Sequence, residues 1–405
     1  MSFQRQDWNS RSAQTLKLKI FTGLGLCCKD GRFLIPAMEL YQLKWMLLER
    51  VLQLHVLRMG IVSLAVMAAM FVYEHAFLGV SYNTERAPRL HPYDLFRSFV
   101  AFLLSTALVR ALWKDGVPHG GPAVPRLPLE SILISAGVTV FALWCAWLFS
   151  RNPQRFNALS LEDGPFEWLS ALFLFIASAF FVLVAIGQLA GTRPGGGRPV
   201  WLAGFAGMFA LVFFVIGMEE ISWMQRVFNV ATPQAFAALN DQKEFNFHNI
   251  ATGASELIYY SGAFFLLVFV PFVGLFLRRW LKGSTGAAVM PSVFVLAASA
   301  PMVAFNSGRW GVLPTQISVM MTVIILLVLV NLALRHGLWK EFLLYAILAI
   351  SIVAVQQLFL AESDRLLRLW DPTEYKELFI AAGLAIYAGE TWWRLRPSRP
   401  AASHA

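Results

Sequence analysis

The stretch "VWLAGFAGMFALVFFVIGMEEISWMQR", residues 200–226, decides the fold class because an apolar run ends abruptly in a dense polar one. Residues 199–218 match the roughly 20 apolar residues that a helix needs to cross a bilayer. The "GMEEISWMQR" part, residues 217–226, then brings together two adjacent carboxylates, a hydroxyl, an indole, an amide and a guanidinium. We therefore predict a membrane-spanning helix with polar chemistry at its end.

The composition extends this interpretation to the whole chain. Of its 405 residues, 58% are hydrophobic and 14% are charged, whereas soluble domains carry about 25% charged residues. The net charge of +9 comes from Lys and Arg in the N-terminal segment and in short links, the distribution of membrane topology signals. Nucleic-acid and nucleotide binding have no support, since neither a phosphate-cradling Gly-Lys-Ser/Thr loop nor a strand-borne GxGxxG occurs. Cys27, Cys28 and Cys145 indicate no disulfide framework and no thiolate metal site.

Ten apolar runs, separated by Pro, Gly and charged links, follow from Gly60 onward. Runs this apolar must be helical, because unpaired backbone amides are intolerable in hydrocarbon. The predicted spans are 60–80, 95–113, 130–150, 165–190, 199–218, 256–278, 290–306, 314–335, 339–361 and 375–393. We predict an all-α, polytopic transmembrane helix bundle, with the bilayer itself as a partner.

Three segments are distinguished along the chain. Residues 1–59 are basic and are interpreted as a cytoplasmic or interfacial segment, or as an extension upstream of a start at Met38, Met46 or Met59. Residues 60–397 form a single transmembrane domain with a long outer link at 219–255. Residues 398–405 are predicted to be a disordered tail.

The distribution of charge indicates the orientation. Nine Lys and Arg precede the first span, three occur in "RRWLK" and three in "RLRPSR", which an even number of spans places on one side. Both termini are then cytoplasmic. Most of the 24 carboxylates fall on the opposite, outer side, and thirteen of these are Glu162, Asp163, Glu167, Glu219, Glu220, Asp241, Glu244, Glu256, Glu362, Asp364, Asp371, Glu374 and Glu377. This composition predicts a polar site recessed between helices.

The "GMEEISWMQR" stretch has two interpretations. If the helix continues through it, Glu219, Ser222, Trp223 and Arg226 share one face, and Glu220 points about 100° away. The carboxylates would repel each other, so one would hold a proton, a cation or Arg226. The functional interpretation is a general base or a metal ligand; the structural one is an interfacial cap with an ion pair and a Trp anchor.

The outer link carries a second candidate element. Thr232 and Pro233 predict the N-cap and first residue of a short helix over residues 233–242. In "NDQKEFNFHN", Glu244 and His248 align whether the segment is extended or helical. Such a pair suits a metal site or a carboxylate-oriented imidazole base. A polar loop held by amide hydrogen bonds is the alternative.

Other polar residues invite simpler interpretations. Capping predicts Asp163 and Glu167 at the start of one helix, and "DPTE", residues 371–374, fits a cap, a first-turn proline and a capping-box Glu. Glu377 has no such explanation. Gln356 and Gln357 are expected to face the bundle interior, and Arg309 to hold an anionic substrate group or to pair with an acid.

Together, the elements "EDGPFEW", "MEEISWMQRVF" and "TPQAFAALNDQKEFNFHN" resemble an uncharacterised family of bacterial polytopic inner-membrane proteins. The likeness covers mainly residues 160–256, and it carries a Glu-Glu-x-Ser-Trp-x-Gln-Arg element followed by Asn-x-Gln-x-Glu-x-x-x-His-Asn. It falls here on Glu219, Glu220, Ser222, Trp223, Gln225, Arg226, Asn240, Gln242, Glu244, His248 and Asn249. Met224 stands where the pattern has glycine. The resemblance implies a bacterial inner-membrane location and a shared site, but it names no reaction.

Three functions of different classes remain. The first is an outer-leaflet hydrolase or transferase acting on a lipid or lipid-linked substrate. Its predicted catalytic residues are Glu219, Glu220, Ser222, Glu244 and His248. A divalent metal on Glu220, Glu244 and His248 is its metal-dependent form. Substrate contacts are assigned to Trp223, Gln225, Arg226, Asn240, Gln242, Asn249 and Arg309, and supporting contacts to Asp163, Glu167, Glu374 and Glu377. The alternatives are a proton- or cation-coupled transporter with Gln356 and Gln357 along its path, and a scaffold of an envelope assembly.

Overall fold

A computed structural model of the protein describes residues 56–79, 91–116, 124–161, 163–190, 200–239, 245–247, 250–281 and 286–396. These residues belong to one compact unit, His55–Ala405. They contain helices and no strand, so the all-α prediction is confirmed over these ranges. The predicted N-terminal segment up to residue 55 and the predicted tail lie outside the described residues and stay predictions.

All ten predicted spans fall on helices. The helices are α1 (Val56–Phe77), α2 (Pro92–Gly116), α3 (Leu129–Arg151), α4 (Pro153–Leu159), α5 (Pro165–Ala190), α6 (Val200–Glu220), α7 (Gln234–Leu239), α8 (Thr252–Phe264), α9 (Val270–Leu281), α10 (Gly286–Val289), α11 (Val293–Ser299), α12 (Leu313–Arg335), α13 (Trp339–Ala361) and α14 (Asp371–Leu395). A π-helical turn, Phe265–Phe269, joins α8 to α9, and 3₁₀ turns occupy Ser222–Met224, Ala300–Ala304 and Ser363–Arg365.

Nine helical segments among the described residues are long and apolar enough to cross a membrane, which makes this a multi-pass membrane protein. They correspond to the first nine predicted spans. The tenth prediction falls on α14, whose charged residues keep it out of this set. Even so, α14 runs parallel to α5 along its length: Tyr375 contacts Phe166 with ring centroids 4.6 Å apart, and Trp392 contacts Phe180 at 5.5 Å.

Contacts between helix ends define two ends of the bundle. At the first, Tyr93 donates a hydrogen bond to Glu74 at 3.0 Å, joining the start of α2 to the end of α1. Ser160 donates to Asp371 at 3.0 Å, joining the segment before α5 to the start of α14. Since α6 also ends and α8 begins there, we name this the acidic end. At the opposite end, the Leu127 N–H donates to Glu341 at 2.8 Å.

One irregular segment lies in the best-covered part of the bundle. The Gly286–Ala304 segment changes from α-helix to a 3₁₀ turn, and 67% of it is buried. The continuous helix α1 is 11% buried. Broken helices in hydrocarbon need neighbouring protein to satisfy their backbone groups, whereas an unbroken helix satisfies its own. The neighbouring helices that bury this segment therefore supply the environment that its irregular backbone needs.

A buried aromatic cluster lies beneath the acidic end. The rings of Phe156 and Tyr375 stack with centroids 4.0 Å apart, and Phe359 lies 4.8 Å from Phe149 and 5.4 Å from Phe305. The Tyr375 hydroxyl donates to the Phe156 carbonyl at 2.9 Å. These rings join α3, α4, α13 and α14 to the segment before α12, so they fix the position at which α14 begins.

The capping box predicted for residues 371–374 is wrong. Trp370 precedes the first helical residue, and no side chain caps this end of α14. The fully buried Asp371 carboxylate instead accepts hydrogen bonds from Asn157 at 2.8 Å, Ser160 at 3.0 Å and the Arg368 Nε at 2.9 Å. Three donors, one of them charged, stabilise a buried carboxylate better than a single exposed cap does. Asp371 thus anchors α14 to the α4–α5 segment.

Replacement of Phe156 by Ala should lower the free energy of unfolding by about 3–5 kcal/mol, because it removes a fully buried ring and leaves a cavity against Tyr375. Thermal unfolding of the purified protein in detergent measures the effect. Phe102→Ala is the matched control, since Phe102 is exposed on α2. Equal destabilisation by both substitutions would contradict this account of the cluster.

Candidate functional site

Helix α6 ends at Glu220 because the backbone of the next turn adopts the left-handed conformation. Ser222, Trp223 and Met224 have φ angles of 44°, 55° and 60°. The helix does not continue through this stretch, so the shared face of Glu219, Ser222, Trp223 and Arg226 that a continued helix would give does not form. Each left-handed non-glycine residue costs about 1–2 kcal/mol, so the turn needs compensating contacts.

Glu219 and Ser222 make three hydrogen bonds that compensate for the left-handed turn. The Glu219 carboxylate accepts from the Trp223 indole N–H at 2.5 Å and from the Phe247 backbone N–H at 2.6 Å. Ser222 is buried and accepts from the amide of Asn246, also buried, at 3.2 Å. Both side chains had been predicted to be catalytic. The structure gives them contacts that hold residues 245–247 against the end of α6.

Gln225, which was predicted to contact substrate, also makes hydrogen bonds that stabilise the left-handed turn. Its amide donates to Thr232 at 2.5 Å and to the Val230 carbonyl at 2.9 Å, and its oxygen accepts from the Phe245 N–H at 2.7 Å. Every polar atom of this side chain therefore faces the loop. The short predicted helix is confirmed in the described part of the link as α7, Gln234–Leu239. Phe236 on α7 packs on Phe245, with ring centroids 4.6 Å apart.

Five of the predicted site residues, Asn240, Gln242, Glu244, His248 and Asn249, lie outside the described residues. The predicted Glu244–His248 pair and the metal site that it would form with Glu220 stay predictions. Within the described ranges, no group of three or more His, Cys, Asp or Glu side chains could hold a metal ion.

Five carboxylates from three helices lie near enough to one another at the acidic end for their charges to interact. They are Glu167 on α5, Glu219 and Glu220 on α6, and Glu374 and Glu377 on α14, and we call them the carboxylate cluster. The charge of Glu220 interacts with those of Glu377, Glu167 and Glu219, and Glu374 interacts with Glu377, Glu220 and Glu167. All five side chains are half-buried. The structure thus brings the predicted supporting residues Glu167, Glu374 and Glu377 to the predicted catalytic pair.

A close helix contact makes this meeting possible. At Gly217, one turn before Glu220, a β-carbon would lie 2.9 Å from the Phe175 ring on α5. A larger residue would push α6 away from α5 and carry Glu220 away from Glu167. Asp163, the remaining predicted supporting residue, is not in the cluster, and instead forms an exposed ion pair with Arg226.

Two tyrosines and a lysine, which the sequence did not reveal as site residues, complete the cluster. The Tyr260 hydroxyl donates to Glu377 at 2.5 Å, and the Lys376 Nζ lies 3.5 Å from the centroid of the Tyr260 ring. The Tyr259 hydroxyl is enclosed near Glu220 and Glu377 and has no hydrogen-bond partner among the described residues. In the sequence, "YY" within an apolar run resembles an interfacial anchor, and Lys376 resembles a surface ion-pair partner.

An apolar groove of about 480 Å³ adjoins the cluster. It lies between α1, α8 and α12, and Tyr260 and Lys376 form part of its wall. At the same position, the nearly buried Arg309 forms an ion pair with Glu256, one of the two roles predicted for this arginine. The groove therefore leads from an apolar wall to charged side chains.

The glutamines predicted to face inward differ from each other. Gln356 is buried, and its side-chain amide nitrogen donates to the carbonyls of Val303 at 3.3 Å and Ala304 at 3.2 Å. Gln357 is exposed, so the prediction that both face the bundle interior is wrong for Gln357. Adjacent residues on a helix lie about 100° apart, and one buried face accommodates only one of them.

The chemistry available to the cluster follows from its charge. Several carboxylates in a partly buried position repel one another, so such a cluster takes up a proton or a cation. Glu219 is committed to the Trp223 and Phe247 N–H groups. Glu220, which faces the other carboxylates, is the better placed of the adjacent pair to accept a proton from a bound molecule.

Comparison of the chain with protein-family models, curated proteins and solved structures gives no match. The family resemblance described above therefore stays a prediction, and the candidate site is argued from its own geometry.

Replacement of Met224 by Gly should raise the free energy of unfolding by about 1 kcal/mol, because glycine adopts a φ of 60° without steric cost. The same substitution at Met218, inside α6, should lower it by about 1 kcal/mol. Thermal melting of the two variants in one detergent compares them. If both substitutions destabilise equally, the left-handed turn described here is incorrect.

Proposed function

We propose that the protein is an integral membrane enzyme, a hydrolase or transferase, that acts on a lipid or lipid-linked substrate at the acidic end of the bundle. The observation that carries this proposal is the junction of the carboxylate cluster with the apolar groove. Tyr260 belongs to both, since its ring lines the groove and its hydroxyl binds Glu377. A substrate held by its apolar part would present its polar part to the carboxylates.

Each described side chain has a chemical role in this proposal. Glu220 accepts a proton from the attacking water or hydroxyl group as the new bond forms. Glu220 then gives this proton to the departing oxygen, the Tyr260 hydroxyl orients the Glu377 carboxylate to which it donates, and Lys376 and Arg309 stabilise negative charge on the substrate. In the metal-dependent form, a divalent metal on Glu220, Glu244 and His248 would act as the Lewis acid.

The proposed location is a bacterial inner membrane, with the acidic end outward and both termini cytoplasmic. The parallel course of α14 and α5 supports α14 as a tenth span, which gives an even number of crossings. The Lys- and Arg-rich segments at residues 1–59, 278–282 and 394–399 then share the cytoplasmic side, as the positive-inside rule requires. The carboxylate cluster would face the outer leaflet.

A proton- or cation-coupled transporter is the second candidate, and the excess of carboxylates in the cluster favours it. Transport also requires a polar route to the other side of the membrane. At the opposite end of the bundle, Glu390 pairs with Arg394 at 2.5 Å and accepts from the Ser292 N–H at 3.3 Å. The ion pair lies within α14, and the Ser292 contact fixes the start of α11 to α14. Neither contact needs transport to explain it, which ranks the enzyme above the transporter.

Glu220→Gln tests the enzyme against the transporter. In cells that lack the native protein, wild type should change the abundance of a membrane lipid, and Glu220→Gln should slow that change about 10²–10⁴-fold because the proton acceptor is lost. Mass spectrometry of extracted lipids measures the change. Glu362→Gln, in a partly exposed ion pair with Arg365, should behave as wild type.

A transporter would give a different experimental result. Unchanged lipids, together with proton or cation flux in reconstituted vesicles that Glu220→Gln abolishes, would reject the enzyme and establish transport.

A further inference from the structure

We propose that the groove admits an amino-phospholipid sideways from the bilayer. Its chain lies along the apolar wall, its phosphate binds at Arg309 and Lys376, and its ammonium group reaches the carboxylate cluster. This inference rests on the proposed function for the fate of the lipid, and it goes further by naming the class of lipid that the site selects.

The apolar wall suits a hydrocarbon chain that enters from the side. Leu64 and Met67 on α1, Leu257 and Phe265 on the α8 side, and Pro314 on α12 line the groove. Leu64 and Phe265 are exposed on the surface of the spanning helices, where the surrounding medium is lipid. The volume, about 480 Å³, lies within the roughly 300–1,000 Å³ typical of small-molecule sites. The described residues therefore offer an apolar path from the bilayer into the groove.

The backbone around the groove is irregular in the same place. Phe265, at its wall, begins the π-helical turn that joins α8 to α9. Such turns are rare in helices and occur frequently at functional sites, because they rotate side chains out of the helical repeat.

The charged part of the groove complements one phosphate diester. Arg309 and Lys376 line it and are 8% and 5% exposed, and Glu256 is the acidic residue of the same lining. Two cations and one carboxylate leave a charge of +1, which matches the single negative charge of a phosphodiester. Cations held in a nearly buried position bind phosphate more strongly than exposed ones, because water screens them less.

The carboxylate cluster complements an ammonium group. Tyr260 lines the groove and donates a hydrogen bond to Glu377, whose charge interacts with those of Glu220 and Glu374. The site thus runs from apolar to cationic to anionic, which is the order of chain, phosphate and ammonium in an amino-phospholipid. A glycerol headgroup brings no positive charge to the carboxylates, and a choline headgroup cannot donate hydrogen bonds to them.

Native mass spectrometry of the purified full-length protein tests this selectivity with dioleoyl-phosphatidylethanolamine, -phosphatidylglycerol and -phosphatidylcholine. We expect the protein to retain phosphatidylethanolamine about tenfold more tightly than either of the others. Glu377→Gln should remove most of this preference while phosphate-dependent binding remains. Equal retention of all three lipids, or a preference that Glu377→Gln leaves intact, would overturn the proposal.

Two adjacent residues of α8 provide the matched control for the groove. Leu257 lines it, whereas Ile258 is 75% exposed and faces away. Leu257→Trp should abolish selective retention, and Ile258→Trp should leave it unchanged. Met67→Trp, which fills the groove from the sparsely packed helix α1, repeats the test if Leu257→Trp does not fold. Retention that persists with the groove filled would reject this entry route.

The test of lipid selectivity and the test of the proposed enzyme can fail independently. Selective retention without any lipid conversion would support a lipid site and reject the enzyme. Lipid conversion without selective retention would support the enzyme and reject an amino-phospholipid as its substrate.

Discussion

The packing of α6 and α14 on α5 is the interaction on which the candidate site depends. Hydrocarbon offers no water to a carboxylate, so acidic side chains at the end of a spanning helix must face other protein groups. Because α14 and α5 run parallel and begin at the same end, Glu374 lies near enough to Glu167 for their charges to interact. The close contact at Gly217 brings Glu220 to the same place. Displacing α14 would separate these carboxylates and leave each of them without the others.

The left-handed turn after α6 divides the adjacent carboxylates between two tasks. Glu219 turns toward Trp223 and Phe247 and holds the outer loop, while Glu220 faces the cluster. An uninterrupted helix would have carried the polar residues of this stretch away from the bundle as a surface stripe. Stored backbone strain of this kind persists where surrounding contacts over-determine it, and such positions concentrate at functional sites. Within the motif "EEISWMQR", Glu219 therefore stabilises the loop beside the site, and Glu220 belongs to the site itself.

The sequence predicted the helices well because one local property, an uninterrupted apolar run, determines each of them. It also predicted that Glu167, Glu219, Glu220, Glu374 and Glu377 share one end, since that follows from counting spans. Even α14, the least apolar of the ten, was recognisable by its length. These features need no knowledge of which helix packs against which.

Features set by tertiary contact were not predictable. Asp371 has the sequence of a helix cap, but Asn157 and Ser160, more than 200 positions away, bind it instead. The hand of the turn at Ser222–Met224 depends on a loop that lies about twenty residues further along the chain. Tyr259 and Tyr260 carry no signal that distinguishes a site residue from an interfacial anchor. In each case the deciding partner comes from another part of the chain.

A double-mutant cycle between Glu220 and Glu377 tests most directly whether α6 and α14 bring their carboxylates into one pocket. Thermal stability is measured for wild type, Glu220→Gln, Glu377→Gln and the double variant. Either substitution removes the same repulsion, so the account predicts a coupling of at least about 0.5 kcal/mol, with the double variant gaining less than the sum of the single ones. Effects that add to within about 0.3 kcal/mol would mean that the two carboxylates do not interact, and would contradict it.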